Sequence, residues 1–204
     1  MAKITNVDYT AIPNHARQMR TLGQELNKEL TTAYQSVGNM HNCWYGKRYN
    51  ELAKEFNKII PTINELLDLV VGQIPYTLET IANNYSQVDQ GTNITSASQT
   101  APNKITEVSM PNDVGMRFET TEVQTIKTNI SNNFKNSKEK MNAIETEYKK
   151  VNWKSDASEA FTVKFTKLKT DIITAFDNIE SSFAKLMQQT LDDMQATESA
   201  NTVK

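Results

Sequence analysis

Shifted by 109 residues against itself, the chain repeats one helical face. Trp44 falls on Trp153, Leu52 on Phe161, Phe56 on Phe165, Ile59 on Leu168, Ile63 on Ile172, Leu67 on Phe176, Val70 on Ile179 and Ile74 on Phe183. Steps of three and four mark an amphipathic helix, and their recurrence means that the chain builds one unit twice. A second periodic run precedes each tryptophan: Met19, Leu22, Leu26, Leu30, Ala33, Val37 and Met40 in the first half, and Val123, Ile126, Ile130, Phe134, Met141, Ile144, Tyr148 and Val151 in the second. These upstream runs align at a shift nearer 108, so the second corner gains one residue.

The spacing predicts helices over about 14–41, 47–89, 118–151 and 156–198, with corners at 42–46 and 152–155. Only 6 Gly and 5 Pro in 204 residues agree with long helices and few turns. The expected fold is all-α: two long helical hairpins in tandem, residues 1–89 and 118–204, packing as a four-helix bundle. Residues 90–117, rich in Thr, Ser, Asn, Gly and Pro without a sustained period, read as a polar linker. Beyond Ser199 the chain is expected to fray. Pro61 and Pro75 interrupt the second helix pattern; a kink is expected at the first, and Gly72 with Pro75 leaves open a break that separates Tyr76 to Asp89.

Each corner has only a few residues, which makes the helices it joins antiparallel. In Cys43-Trp44-Tyr45-Gly46 the glycine can take a positive φ, whereas in Asn152-Trp153-Lys154-Ser155 a serine can cap the next helix, with Asp156 and Glu159 in its first turn. A tryptophan burying on the order of 200 Å² clasps such a corner, with an upper bound of about 5 kcal/mol. A clasp alone is one reading; the same tryptophan in both hairpins makes a signature the other.

Trp44-Tyr45-Gly46 between two helices resembles the Trp-x-Gly family of small type VII secretion substrates, the early-secreted-antigen-like proteins. The second half resembles the same family through Trp153-Lys154-Ser155-Asp156-Ala157-Ser158-Glu159-Ala160-Phe161, with Ser155 in place of the glycine. The resemblance implies helical hairpins without enzymatic activity and a Tyr-x-x-x-Asp/Glu export signal after the second helix of each. Tyr85-Ser86-Gln87-Val88-Asp89 fits that pattern; Met194-Gln195-Ala196-Thr197-Glu198 keeps the acid, Glu198, and loses the tyrosine. It also implies export to the outside or the cell surface without a cleavable signal peptide. The implied partners are the secretion ATPase and a larger secreted effector or another copy of the chain. If the family's antiparallel dimer is reproduced within one chain, Tyr85 and Asp89 come beside Trp153, and Trp44 beside Met194 and Glu198. A linker of about 27 residues reaches roughly 90 Å, enough for a parallel or an antiparallel pair.

Other chemistries find no support in the residues. The formal charge is −2, with 9 basic and 10 acidic side chains in residues 1–109 and 13 and 14 in residues 110–204, so no basic excess suits nucleic acid. Cys43 is the single cysteine and reads as a packed apolar group. His15 and His41 lie about 39 Å apart along one helix and cannot share a metal. Asp192 and Asp193 are adjacent and point to different sides. Phosphate-loop, nucleophile-elbow and metalloprotease motifs are absent, so neither catalytic residues, metal nor cofactor are expected. The most apolar stretch, Leu66 to Ile74, is interrupted by Asp68 and Gln73 and is too short for a bilayer, so no stable membrane insertion is expected. The N-terminal residues Met1 to Asp8 lack the apolar run of a leader. Met40, Met187 and Met194 are either core filling or adaptable partner surface. The rival to a secretion substrate is a structural or adaptor bundle of a phage or cell surface, with the tryptophans as clasps only. A pore-forming toxin is weaker, for want of a membrane-seeking segment.

Overall fold

The computed structural model describes residues 7–201, so most of the segment read for a leader and the last three residues lie outside it. Helix α1 spans Ile12–Met40 and ends at the first corner, where Trp44–Tyr45 form a two-residue strand, β1. Helical structure then runs without a gap through α2 (Lys47–Leu67), a π-helical turn (Asp68–Gln73) and α3 (Ile74–Gln90). After an extended segment comes β2 (Arg117–Phe118), followed by α4 (Thr120–Lys149) and α5 (Asp156–Asn201).

The predicted apolar faces meet in one core. Leu52, Phe56, Ile63, Leu67, Val70 and Ile74 are buried from the first half, as are Phe161, Phe165, Leu168, Ile172, Phe176, Ile179 and Phe183 from the second. Rings from four helices interlock at its centre: Tyr34 lies edge-on to Phe56 at 5.5 Å, Phe56 faces Phe134 at 5.8 Å, and Phe134 stacks on Phe176 at 3.9 Å. The methionines serve this core, with Met40 and Met187 buried and Met194 packed against its edge.

The two hairpins lie antiparallel. Along α1 and α4, His15 meets Glu147 at 2.7 Å, Glu25 meets Lys140 at 2.6 Å and Glu29 meets Asn136 at 3.2 Å, so one numbering rises as the other falls. Along α2 and α5, Arg48 pairs with Asp193 and Glu65 with Lys164 in the same sense.

The proline-interrupted helix neither breaks nor ends. The N–H of Ile74 donates to Leu69 O, five residues back, and this wider turn places Pro75 in the first turn of α3. Pro75 has no N–H to donate, and the helix continues past it all the same. α2 also continues through Pro61, although that residue has no N–H to donate to Asn57 O.

The segment read as a polar linker runs as a strap along the helices. From Gly91 to Met116 it runs back along the whole second helix, bonded in turn to Asn83, Glu79, Asn64, Asn57 and Asn50. Gly72 lets it pass closely: a Cβ there would stand 2.7 Å from Thr100 O. Burial along the strap has a period of three, with Ile105 and Val108 buried and Pro102 and Pro111 half-buried. Seven residues of helix rise about 10.5 Å, and three extended residues advance about 9 to 10 Å. Asn50, Asn57 and Asn64, seven apart, therefore stay in register with Pro111, Val108 and Ile105, three apart.

Candidate functional site: the tryptophan corners

The first corner is more than a turn. Trp44 pairs with Phe118 and Tyr45 with Arg117 as an antiparallel bridge, and Glu119 N–H donates to Cys43 O at 2.9 Å. The indole of Trp44, 1% exposed, lies edge-on to Phe118 at 5.3 Å and stacks on Phe183 at 5.8 Å. The segment leading into the second hairpin and the body of its second helix thus both close on this residue. Gly46 stands at the N-cap of α2 with φ 111°, a region that side chains disfavour, and its Cβ position would lie 3.3 Å from Gly115 O.

Around Trp44, a cavity of about 550 Å³ is lined by Tyr45, Lys47, Arg48, Met116, Thr190 and Asp193 among others. Arg48 spans it, pairing with Asp193 and donating to Gln189 Oε1 at 3.0 Å. The tail of α5 therefore does reach the first tryptophan, but through Gln189, Thr190 and Asp193. Glu198, expected there from the sequence, sits more than a turn further on at an exposed position of α5, and Met194 packs against the core. Because the tail runs antiparallel to α2, the residue opposite Arg48 is set by helix register, which sequence spacing from the tryptophan does not reveal.

The second corner uses different chemistry. Trp153 is buried at 8% exposure and its main-chain N–H donates to Val151 O at 3.0 Å. Ser155 Oγ accepts the N–H of Ser158 at 3.2 Å, satisfying one of the free donors at the start of α5. Tyr148 closes the corner, donating to Ser158 O at 3.1 Å and packing its ring 4.2 Å from Phe161.

Tyr85 and Asp89 lie one turn apart on α3, the tyrosine half-buried and the aspartate exposed. Asp89 accepts a hydrogen bond from Tyr9, whose hydroxyl in turn accepts one from Gln90 at 3.0 Å. Tyr9 lies just before α1, whose His15 pairs with Glu147 near the end of α4, so Asp89 and the second corner share one end of the bundle. Sequence reading missed Tyr9, because nothing local links residues 80 positions apart.

The other reactive groups are structural. The Cys43 thiol donates to Met40 O at 3.2 Å, and burial, with Glu122 and Glu119 nearby, pushes it above its ordinary value. His41 pairs with Asp113 at 2.8 Å, tying the strap to the first corner. Among the described residues no group of three His, Cys, Asp or Glu is placed to hold a metal ion, and no helix is long and apolar enough to cross a membrane.

Residues 4–90 match the family profile described as WXG100, proteins of 100 residues with WXG. No curated protein and no solved structure matches the chain.

Proposed function

We propose that this chain, whose residues 4–90 match the WXG100 family profile, is a type VII secretion substrate of the Trp-x-Gly class, exported as a single-chain pair of hairpins. The antiparallel docking of hairpin on hairpin carries this reading. It sets the Trp44 corner against the tail of α5 and puts the Trp153 corner at the same end as the tail of α3. Each end of the bundle then combines one corner with the other hairpin's tail.

In this reading Tyr85 and Asp89, the first half-buried and the second exposed one turn on along α3, form the export signal, and the secretion ATPase recognises it without bond chemistry. The end carrying Trp44 departs from the signal pattern, since Met194 replaces the tyrosine and is packed into the bundle; Glu198 is its remaining signal residue. The protein acts outside the producing cell or at its surface, as a non-enzymatic binding protein whose partner is a larger secreted effector or another copy.

Secretion from a host with a working type VII system tests this, comparing wild type, Tyr85→Ala and a strain lacking the ATPase. Tyr85→Ala and loss of the ATPase should each abolish export while leaving the protein folded inside. Export indifferent to both would transfer the protein to the adaptor reading, with the tryptophans as clasps.

A further inference from the structure

We infer that the groove between α1 and α2 is a binding site for an extended polypeptide segment with an apolar side chain at every third residue, and that the strap is its resident occupant. Two rungs of the groove read main-chain atoms alone. Asn57 donates to Val108 O at 2.9 Å and accepts its N–H at 2.8 Å; Asn64 does the same with Ile105 at 3.0 and 2.8 Å. Such contacts are indifferent to side-chain identity. The selective feature is the three-residue period with which Ile105 and Val108 turn into the groove, as in a polyproline II ligand.

The resident does not satisfy its own groove. At the third rung Asn50 donates to Pro111 O at 2.9 Å, but proline has no N–H to return, and Asn50 Oδ1 is buried without a hydrogen-bond partner among the described residues. A segment with any other residue at that position makes one hydrogen bond more than the strap does. The groove is also wider than its occupant: on the α1 side, clefts of about 450 and 440 Å³ flank the strap, both bounded by Thr31 and Gln35. Along residues 102–111 the strap gives only Ile105 and Val108 to the buried core, so exchanging this stretch uncovers two side chains there. The occupant that fits is a segment of another chain with aliphatic residues three apart and a non-proline residue opposite Asn50.

The probe is a labelled peptide of residues 101–112, titrated by fluorescence anisotropy against the full chain carrying Ile105→Ser and Val108→Ser, which loosen the resident. Saturable binding is expected, weaker to wild type. The same peptide with Pro111→Ala should bind roughly fivefold tighter, the worth of one neutral hydrogen bond. Adding Asn57→Ala and Asn64→Ala to the protein should weaken binding by on the order of tenfold or more. Equal affinity for the two peptides, indifference to the asparagines, or a loosened protein that dimerises without taking up peptide would each overturn the proposal, the last in favour of strap exchange between copies. If the loosened protein loses its helical signal, amide exchange on wild type decides. Excess Pro111→Ala peptide should speed exchange at the Ile105 and Val108 N–H groups, and unchanged exchange refutes a replaceable occupant.

Discussion

Asn57 exchanges two hydrogen bonds with the main chain of Val108, donating at 2.9 Å and accepting at 2.8 Å, as a neighbouring β-strand residue would. A helix side chain thus completes the backbone pairing of a segment that has no strand beside it. Replacing Asn57 with Ala should cost about 1–2 kcal/mol, since both lost bonds are partly recovered from water. Asn64→Ala, one rung away, should cost a similar amount, and each loss should speed amide exchange at its own rung, Val108 or Ile105, before the helices respond.

The two tryptophans should differ in weight. Trp44→Ala removes a ring that touches Phe118 and Phe183 and seats the bridge between hairpins, so it should cost about 3–5 kcal/mol by urea unfolding. Trp153→Ala should cost less, because Ser155 and Tyr148 hold that corner independently. Gly46→Ala should destabilise by about 2 kcal/mol, through the positive φ alone.

Glu79 is 4% exposed and receives Arg20 bidentately at 2.8 and 2.9 Å while accepting Ser98 N–H at 3.2 Å. Glu79→Gln leaves the Arg20 charge uncompensated at the junction of α1, α3 and strap. A loss of about 3 kcal/mol is expected, with Glu79→Gln/Arg20→Met recovering part of it in a double-mutant cycle.

Ser137 is fully buried on α4, and its Oγ has no hydrogen-bond partner among the described residues. Ser137→Ala removes that unsatisfied group and favours the helix, so a rise in stability of about 0.5–1 kcal/mol is expected from thermal or urea unfolding.

Acid should loosen the second hairpin first. Hydrogen bonds from Lys149 and then Lys169 hold Glu145 below its ordinary value, and Lys150 followed by His15 does so for Glu147 against an opposing effect of burial. A carboxylate depressed in the folded state contributes stability that is fully present above its unfolded value, near 4.3, and is lost as pH falls through the folded one. The urea midpoint should therefore drop below about pH 4, and drop less in a Glu145→Gln/Glu147→Gln variant.

The local features were legible without coordinates. Apolar residues at steps of three and four define a helix face wherever they occur, and two short corners make each pair of helices antiparallel by chain length alone. Both tryptophan corners and the repeat follow from that arithmetic. The asparagines at 50, 57 and 64 were equally present in the sequence. On a helix surface, though, a polar row reads as solvated until an extended segment lies along it.

The sequence by itself determined the helices, their buried faces and the two hairpins, because those depend on neighbours within a few residues. Only the tertiary structure decided that the hairpins lie antiparallel, that the strap lies in the α1–α2 groove, and that a π turn carries the helix past Pro75. A linker of about 27 residues reaches either end, so its length permits both orientations. The choice rests on contacts between residues 74 to 145 apart, such as Phe118 and Phe183 on Trp44 and Arg48 with Asp193, which no local pattern encodes.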